Sequence, residues 1–410
     1  MTLDSFKREM RDDLSFRGKL LRTGRHRIHP YPAMLHPLLV DHLISRYAVK
    51  DSTILDPFCG SGVTLLQSSL NGHASIGLDI NPLALAIARA KTASYDADLL
   101  KREFRGIRDC IFDSHPDDSD VPAIRNIEYW YKPDVIRDLG RLRFILQHNR
   151  LTYSDFFIVV FALIARTQSL TKSGEFKRYR IKGKKLLLAK NEVFSAFLSH
   201  CHKMVEAFTN GAQPLANSRP LYANSEDHFP QHLEYGTVIT SPPYGDSRTT
   251  VAYGQFSSFG SDWIKGLEQI SLYVNVDAAG LGKRSPLIDL SSFSVLSEIL
   301  ARIAEASEKR AKDVRYFFNG YFKALKRIVA QLADNGTICF VVGNRTVKDI
   351  SIPLDQITAS FLQTLGVSID SILVRNIHNK VMPAVNSPTN ERGKTSRTMH
   401  SEYIVIGVKR

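Results

Sequence analysis

Thr53-Ile-Leu-Asp56-Pro-Phe-Cys-Gly-Ser-Gly62-Val-Thr64 is the stretch on which the fold reading turns. Thr53 to Leu55 is a short apolar run of strand type, and Asp56 to Gly62 reads as a turn, broken by proline and two glycines. A helical pattern then runs through Leu70 and stops at Gly72. A second short strand, Ala74 to Leu78, ends at Asp79, and a second helix occupies Pro82 to Thr92. This β-turn-α-β-α order predicts a parallel, doubly wound α/β sheet. The same grammar returns at the strand Gly236 to Thr240, the helix Val314 to Ala333, the turn Asn335-Gly336 and the strand Thr337 to Val342. Tyr403 to Val408 reads as a closing edge strand.

Glycines at a strand-to-helix turn let a ligand approach the backbone, and the helix N-terminus offers free N–H donors. Asp79 stands about twenty residues on, at the end of the next strand, where nucleotide-binding sheets take ribose hydroxyls on an ionised carboxylate. The dinucleotide pattern G-x-G-x-x-G is absent, so no pyrophosphate is implied, and Asp56 is an extra acid. These features favour a nucleoside cofactor carrying a sulfonium, S-adenosylmethionine, over a plain Gly-rich bend. The candidate contacts are Asp56, Pro57, Phe58, Gly60, Gly62, Thr64, Asp79 and Asn81. His29-Pro-Tyr31-Pro-Ala-Met34 admits two readings, a cover over the methionine end or a Pro-rich turn before a helix at residues 37–47.

Thr240-Ser241-Pro242-Pro243-Tyr244-Gly245 follows the second group of strands. An exocyclic amine on cytosine or adenine is a poor nucleophile, because its lone pair is delocalised into the ring. Acceptors placed on its two N–H groups favour a pyramidal nitrogen. Ser241 Oγ and the Pro242 carbonyl suit that task, and Pro242-Pro243 stiffens the loop before substrate arrives. Tyr244 offers a face on which a base turned out of a duplex could stack. A cytosine-C5 mechanism would need a thiolate, usually from a Pro-Cys pair. No cysteine here follows proline, and Cys59 reads as a small packing residue.

The formal charge of +13 favours a polyanionic partner. Residues 96–215 differ from the flanking halves in their helical periodicity and in a basic stretch from Lys172 to Lys190. They are read as a mainly helical insertion and a candidate DNA-recognition region. Residues 1–95 then form the N-terminal segment and cofactor half, and 216–410 the catalytic half. Within the latter, 245–292 has the composition of a substrate loop. Lys177, Arg178, Arg180 and Lys182 interleave with aromatics and suit phosphate contact, as does Arg248 beside the catalytic turn. Asn344-Arg345 is read as a brace at the sheet's carboxyl edge. The four cysteines form no C-x-x-C pair, so neither a disulfide framework nor a metal site is expected. The longest apolar run, Phe156 to Ala165, is too short for a bilayer, and the N-terminus lacks the apolar core of a signal peptide. A cytoplasmic setting without membrane attachment is the expectation.

Asp56 to Gly62 resembles the cofactor motif, and Thr240 to Tyr244 the catalytic motif, of DNA amino-methyltransferases of restriction–modification systems. Ser before Pro-Pro-Tyr looks like the cytosine-N4 branch of that family, whereas Asp or Asn is more typical of the adenine-N6 branch. His29 to His36 looks like a third cofactor element, which places His29 and Tyr31 among the contacts. Tyr222-Ala-Asn-Ser-Glu-Asp227 looks like the element flanking the cofactor adenine, which adds Asp227, and residues 245–255 look like the stretch after the catalytic motif. The resemblance covers about residues 26–92 and 216–408. It implies a Rossmann-like class I methyltransferase fold, double-stranded DNA as partner and a cognate restriction endonuclease as a second candidate partner. Nothing in the sequence sets the oligomeric state. Adenine-N6 transfer, an RNA base amino-methyltransferase and a DNA-binding regulator on a degenerate fold remain the alternatives.

Overall fold

The computed structural model describes residues 6–113, 115, 117–210, 215–245, 251–267, 275–377, 385–386, 396–397 and 400–410. Arg248 and parts of the 245–292 segment fall outside them. The strands in chain order are β1 (Arg8–Met10), β2 (Ile54–Asp56), β3 (Ser75–Asp79), β4 (Ser218–Tyr222), β5 (Tyr235–Thr240) and β6 (Leu332–Val342). A hairpin of β7 (Arg345–Val347) and β8 (Ile350–Ile352) follows, then β9 (Val367–Asn376), the paired β10 (Val385–Asn386) and β11 (Ser396–Arg397), and β12 (Ser401–Lys409).

Eight strands form one sheet in the order β1-β9-β12-β6-β5-β2-β3-β4. From β6 to β4 every pairing is parallel, as expected for a doubly wound fold. The antiparallel strand is β12, and it covers the predicted Tyr403 to Val408. It does not close the edge: β6 and β9 flank it, and β1 lies beyond β9. Its Ile404, Val405 and Ile406 are at most 2% exposed, which is why the segment reads as an unbroken apolar run.

The order in which strands are added reverses between β2 and β5, which pair in parallel through Leu55 and Val238. Such a switch point opens a crevice at the carboxyl ends of the strands. The helix Val63–Leu70 starts directly after the turn that leaves β2, and Pro82–Thr92 starts behind β3 with Asn81 as its cap. The long helix before β6 spans Glu308–Gln331, starting earlier than predicted. The predicted Asn335-Gly336 turn survives as a bulge inside β6. There Leu332 pairs with Tyr235 and Thr337 with Thr237, so the strand spends extra residues at Asn335, whose φ is +61°.

Helices Ala97–Asp113, Pro133–His148, Ser154–Thr167 and Val193–Thr209 dominate the stretch between β3 and β4. Their apolar faces meet Leu83, Ala86, Ile87 and Ala90 of the cofactor-half helix in a second core. The reading of 245–292 as an irregular loop changes here. Tyr253–Ile264 is a helix whose Phe259, Trp263 and Ile264 are buried in that second core. Trp263 meets Tyr131 and Phe161 edge-on, and Arg143 Nη1 donates to its carbonyl at 2.7 Å. Spaced every three or four residues, these apolar side chains are a helix signature that the surrounding Ser and Gly content masks. Trp263→Ala should therefore lower unfolding free energy by roughly 3–5 kcal/mol in denaturant titration. A change below about 0.5 kcal/mol, as for a surface loop, would contradict this packing.

Candidate active site

Strand ends β2, β3 and β5 converge on one cleft of about 1070 Å³, its open mouth included. Asp56, the last residue of β2, is 3% exposed. Its Oδ1 accepts from Thr240 Oγ1 at 2.6 Å and from the Phe58 N–H at 3.1 Å. Burial pushes its carboxyl up to about 6, against the opposing hydrogen bonds from Thr240 and Phe58. The turn then runs along the cleft floor. Gly60, at φ +48°, lets the Tyr31 ring come within 3.3 Å of where a β-carbon would stand. Gly62, at φ +73°, is a packing glycine: a β-carbon there would lie 2.7 Å from that of Ala88. It is therefore not a cleft contact, although the turn requires it.

Asp79 closes β3 and faces the turn. Its Oδ2 accepts from the Gly60 N–H at 3.0 Å and its Oδ1 from the Asn81 N–H at 2.7 Å. Burial raises this carboxyl too, to about 6, with a smaller push from Asp56. Asn81 is buried; its Nδ2 donates to Tyr31 Oη at 2.9 Å and to Ser257 Oγ at 2.7 Å, while its Oδ1 accepts the Leu83 N–H. Tyr31 in turn stacks on Tyr253, with ring centroids 6.0 Å apart. Pro32, Met34 and Leu35 complete that wall. Beneath the turn, the fully buried Lys91 donates from Nζ to the Ser61 carbonyl at 2.9 Å and to Ser61 Oγ at 3.2 Å.

Most of the sequence-derived cofactor set therefore meets in this cleft: Tyr31, Asp56, Pro57, Phe58, Gly60, Thr64, Asp79 and Asn81 all line it. His29 does not. It is fully buried behind the wall, with Nδ1 on the Pro30 carbonyl at 2.5 Å and its ring edge-on to Phe256. Asp227 is also displaced. It pairs with Lys283, and Ala223, Asn224 and Ser225 border the cleft instead. Ser225 Oγ donates to the Pro57 carbonyl at 2.5 Å, which ties β4 to the turn after β2.

Ser241, Pro243 and Gly245 border the same cleft as the cofactor turn. Tyr244 is not among the lining residues. Its ring is half-buried against the main core, and its hydroxyl lies 3.1 Å from Ser241 Oγ and 3.2 Å from Glu402 Oε1. An open stacking face in the cleft is thus not what this arrangement presents. Gly245 packs so closely on the Arg345 guanidinium that any β-carbon would collide with it. Arg345 thus braces the catalytic corner, while Asn344 bonds Asp355 at 2.9 Å. Sequence reasoning missed Tyr253, Asp277, Lys91, Glu402 and the Thr240 hydroxyl. Tyr253 and Asp277 lay in the 245–292 segment and Thr240 in the catalytic stretch, but none of them had been given a role.

The basic segment stands on the outer side of the helix Tyr253–Ile264. Arg178 lies over Trp130 and Phe259, and Arg180 over Tyr129, at 4.5 to 5.6 Å. Lys177 and Lys182 are exposed. Phe176 touches Phe256, one turn from the cleft-lining Tyr253. Among the described residues no helix is long and apolar enough to cross a membrane.

A family model described as DNA methylase, covering the N6 and N4 enzymes, matches residues 10–90. The type II methyltransferase M.MvaI of Kocuria varians is 30% identical over 437 residues, spanning 98% of this chain and 96% of that protein. M.MjaII of Methanocaldococcus jannaschii, another type II methyltransferase, is 43% identical over 77 residues, 19% of this chain and 14% of its own. Among solved structures, a SAM-dependent methyltransferase from Methanosarcina mazei aligns over 93% of this chain and 98% of its own at 9% identity and a TM-score of 0.32. So slight a likeness adds nothing to the strand order itself. End-to-end identity with M.MvaI, joined to a cleft bordered by both motifs, decides the matter: the chain belongs to the DNA amino-methyltransferases, the S-adenosylmethionine-dependent N4/N6 family of type II enzymes.

Proposed function

We propose that this enzyme methylates N4 of cytosine in duplex DNA, with the base turned out of the helix into the cleft. The reading rests on one observation: Ser241, rather than an acid, stands beside the cofactor turn in a shared cleft. Two buried carboxylates and a glycine turn fit a cationic, ribose-bearing cofactor. Asp79 is placed to accept ribose hydroxyls, and Asp56 to hold the turn and lend negative potential near the sulfonium. Tyr31 and Tyr253 would cover the cofactor, and Asn224 and Ser225 would flank its base. When bound, the cofactor supplies an electrophilic methyl group. Ser241 Oγ and the Pro242 carbonyl accept the two amine N–H groups and hold the nitrogen pyramidal. The loop is stiff beforehand, so little reorganisation remains for the reaction. The helical insertion, with Lys177, Arg178, Arg180 and Lys182, would lie along the phosphates. A cognate restriction endonuclease is the partner that such an activity would protect against.

Incubation with labelled cofactor and duplex DNA, followed by digestion to nucleosides, should place the label in N4-methyldeoxycytidine. Label confined to N6-methyldeoxyadenosine, or to RNA when both are offered, would refute the assignment. Ser241→Ala should slow single-turnover transfer by about a hundredfold while leaving the cofactor Kd unchanged.

The raised carboxyls at Asp56 and Asp79 make a pH prediction with a definite sign. Cofactor binding favours their ionised forms, so affinity is full above pH about 6 and weakens as pH falls below it. Binding at pH 6 should release protons, visible as a buffer-dependent calorimetric heat. The ligand-free protein should behave oppositely. Both groups hold protons more tightly folded than unfolded, so their contribution to stability declines as pH rises from about 4 to 6. Cofactor affinity that is flat or stronger toward pH 5 would rule out this role.

Lys177→Ala with Lys182→Ala should weaken binding to all duplexes alike and flatten the log Kd against log salt slope by about 1 to 2. An unchanged slope would move the interface elsewhere.

A further inference from the structure

We infer that Glu402, on the last strand of the sheet, sets the direction of the Ser241 hydroxyl through Tyr244, making Ser241 a pure acceptor toward the target amine. The inference deepens the proposed function and rests on it. A serine hydroxyl can donate or accept, and an amine with two N–H groups needs it to accept. Nothing in Ser241 itself makes that choice.

The structure supplies a chain that does. Arg375 on β9 donates from Nη2 and Nε to Glu402 Oε2, at 2.5 and 3.0 Å, and both side chains are less than a tenth exposed. Arg375 is itself fixed by donating from Nη1 to the Leu14 carbonyl at 3.1 Å. A buried carboxylate gripped in this way stays ionised and can only accept. Its other oxygen, Oε1, lies 3.2 Å from Tyr244 Oη, so the phenol must donate there. Burial and the neighbouring Glu402 charge push the Tyr244 phenol well above its usual range, so it keeps the proton that it donates. That proton is now spent. The contact of 3.1 Å between Tyr244 Oη and Ser241 Oγ can then run only one way, with Ser241 donating. The lone pairs of Oγ are left for the cleft, which Ser241 borders.

With a neutral amide at position 402 the constraint is lost. An amide can turn its NH₂ group toward Tyr244, the phenol can then donate to Ser241, and the serine proton can point at the amine. Donor would meet donor, and the turned-out base would lose a contact that the transition state needs. Glu402 and Arg375 are thus positioning residues that act only through Tyr244 and Ser241. Their sequence signature is faint, because each sits singly near one end of a largely apolar strand.

The test is a double-mutant cycle on single-turnover transfer to duplex DNA, with cofactor and DNA Kd measured alongside. E402Q should slow transfer by roughly ten- to a hundredfold, with both Kd values unchanged. In a Ser241→Ala background E402Q should slow it no further. Tyr244→Phe, which leaves the Arg375–Glu402 pair intact, should show the same loss and the same silence behind Ser241→Ala. It also carries the test if E402Q fails to fold. E402Q or Y244F transferring at the wild-type rate would overturn the inference, as would penalties that multiply with that of Ser241→Ala. Wild-type protein that labels no DNA would overturn the proposed function and this inference together, whereas active wild type with an insensitive E402Q would overturn this inference alone.

Discussion

The hydrogen bond of 2.6 Å from Thr240 Oγ1 to Asp56 Oδ1 joins two motifs separated by 184 positions in the chain. Each sits where its strand ends, and the strands are neighbours because the order of strand addition reverses between them. Everything chemical follows from that adjacency. Asp56 aims its peptide into the glycine turn, Thr240 hands the chain to Ser241, and the bond fixes the distance between the two. Since Asp56 is buried, losing the hydroxyl would leave a carboxylate poorly satisfied in a low-dielectric setting, a large penalty for one methyl-sized change. The corner is therefore rigid for energetic reasons, and Pro242-Pro243 extends the rigidity into the loop.

The helical insertion supplies a second constraint. It interrupts the crossover from β3 to β4, yet it does not stand apart from the sheet, because the helix Pro82–Thr92 belongs to its core. The helix Tyr253–Ile264, which follows the catalytic corner, docks into the same core through Phe259 and Trp263. The corner is thus held at one end by Asp56 and at the other by the insertion. Tyr253 is carried on that docked helix to meet Tyr31 across the cleft. A segment that looks accessory in sequence positions the wall that would cover the cofactor, and its exposed basic face continues from that wall.

The parallel sheet and the core of the site were legible in the sequence because they are local. Asp56 to Thr64 and Ser241 to Tyr244 each compress a strand end, a turn and their polar groups into a few residues, so spacing alone reads them. What was missed is non-local or masked. The helix Leu354–Thr364 and β9 were not read, although Pro353 and Gly366 bracket the helix, and β12 gives no sign that β9 and β1 lie outside it. The helix Tyr253–Ile264 hides its apolar stripe among Ser and Gly. His29 and Asp227 were placed on the cleft by resemblance to neighbouring motif positions, but the backbone turns them inward or sideways and brings Tyr31 and Ser225 forward. Glu402 touches the site through a tyrosine 158 positions away, a relation that no local pattern records.

The charged groups that hold the site share a physical character, whether the sequence showed them or not. Asp56, Asp79, Lys91, Arg375 and Glu402 are charged groups in or beneath the carboxyl end of the sheet. Burial is the largest cause that drives Lys91 down to about 7 and the two aspartates up to about 6. Charges in such places rarely stabilise a fold, since apolar residues of similar volume would often do better. Their concentration under one cleft is what separates a site from a scaffold. Each also has a defined partner on the site: Lys91 holds Ser61 of the turn, Asp79 holds Gly60, Asp56 holds Thr240, and Arg375 with Glu402 holds Tyr244. The buried charges fix the orientation of dipoles, so the cleft enters the reaction with its donors and acceptors already turned the right way.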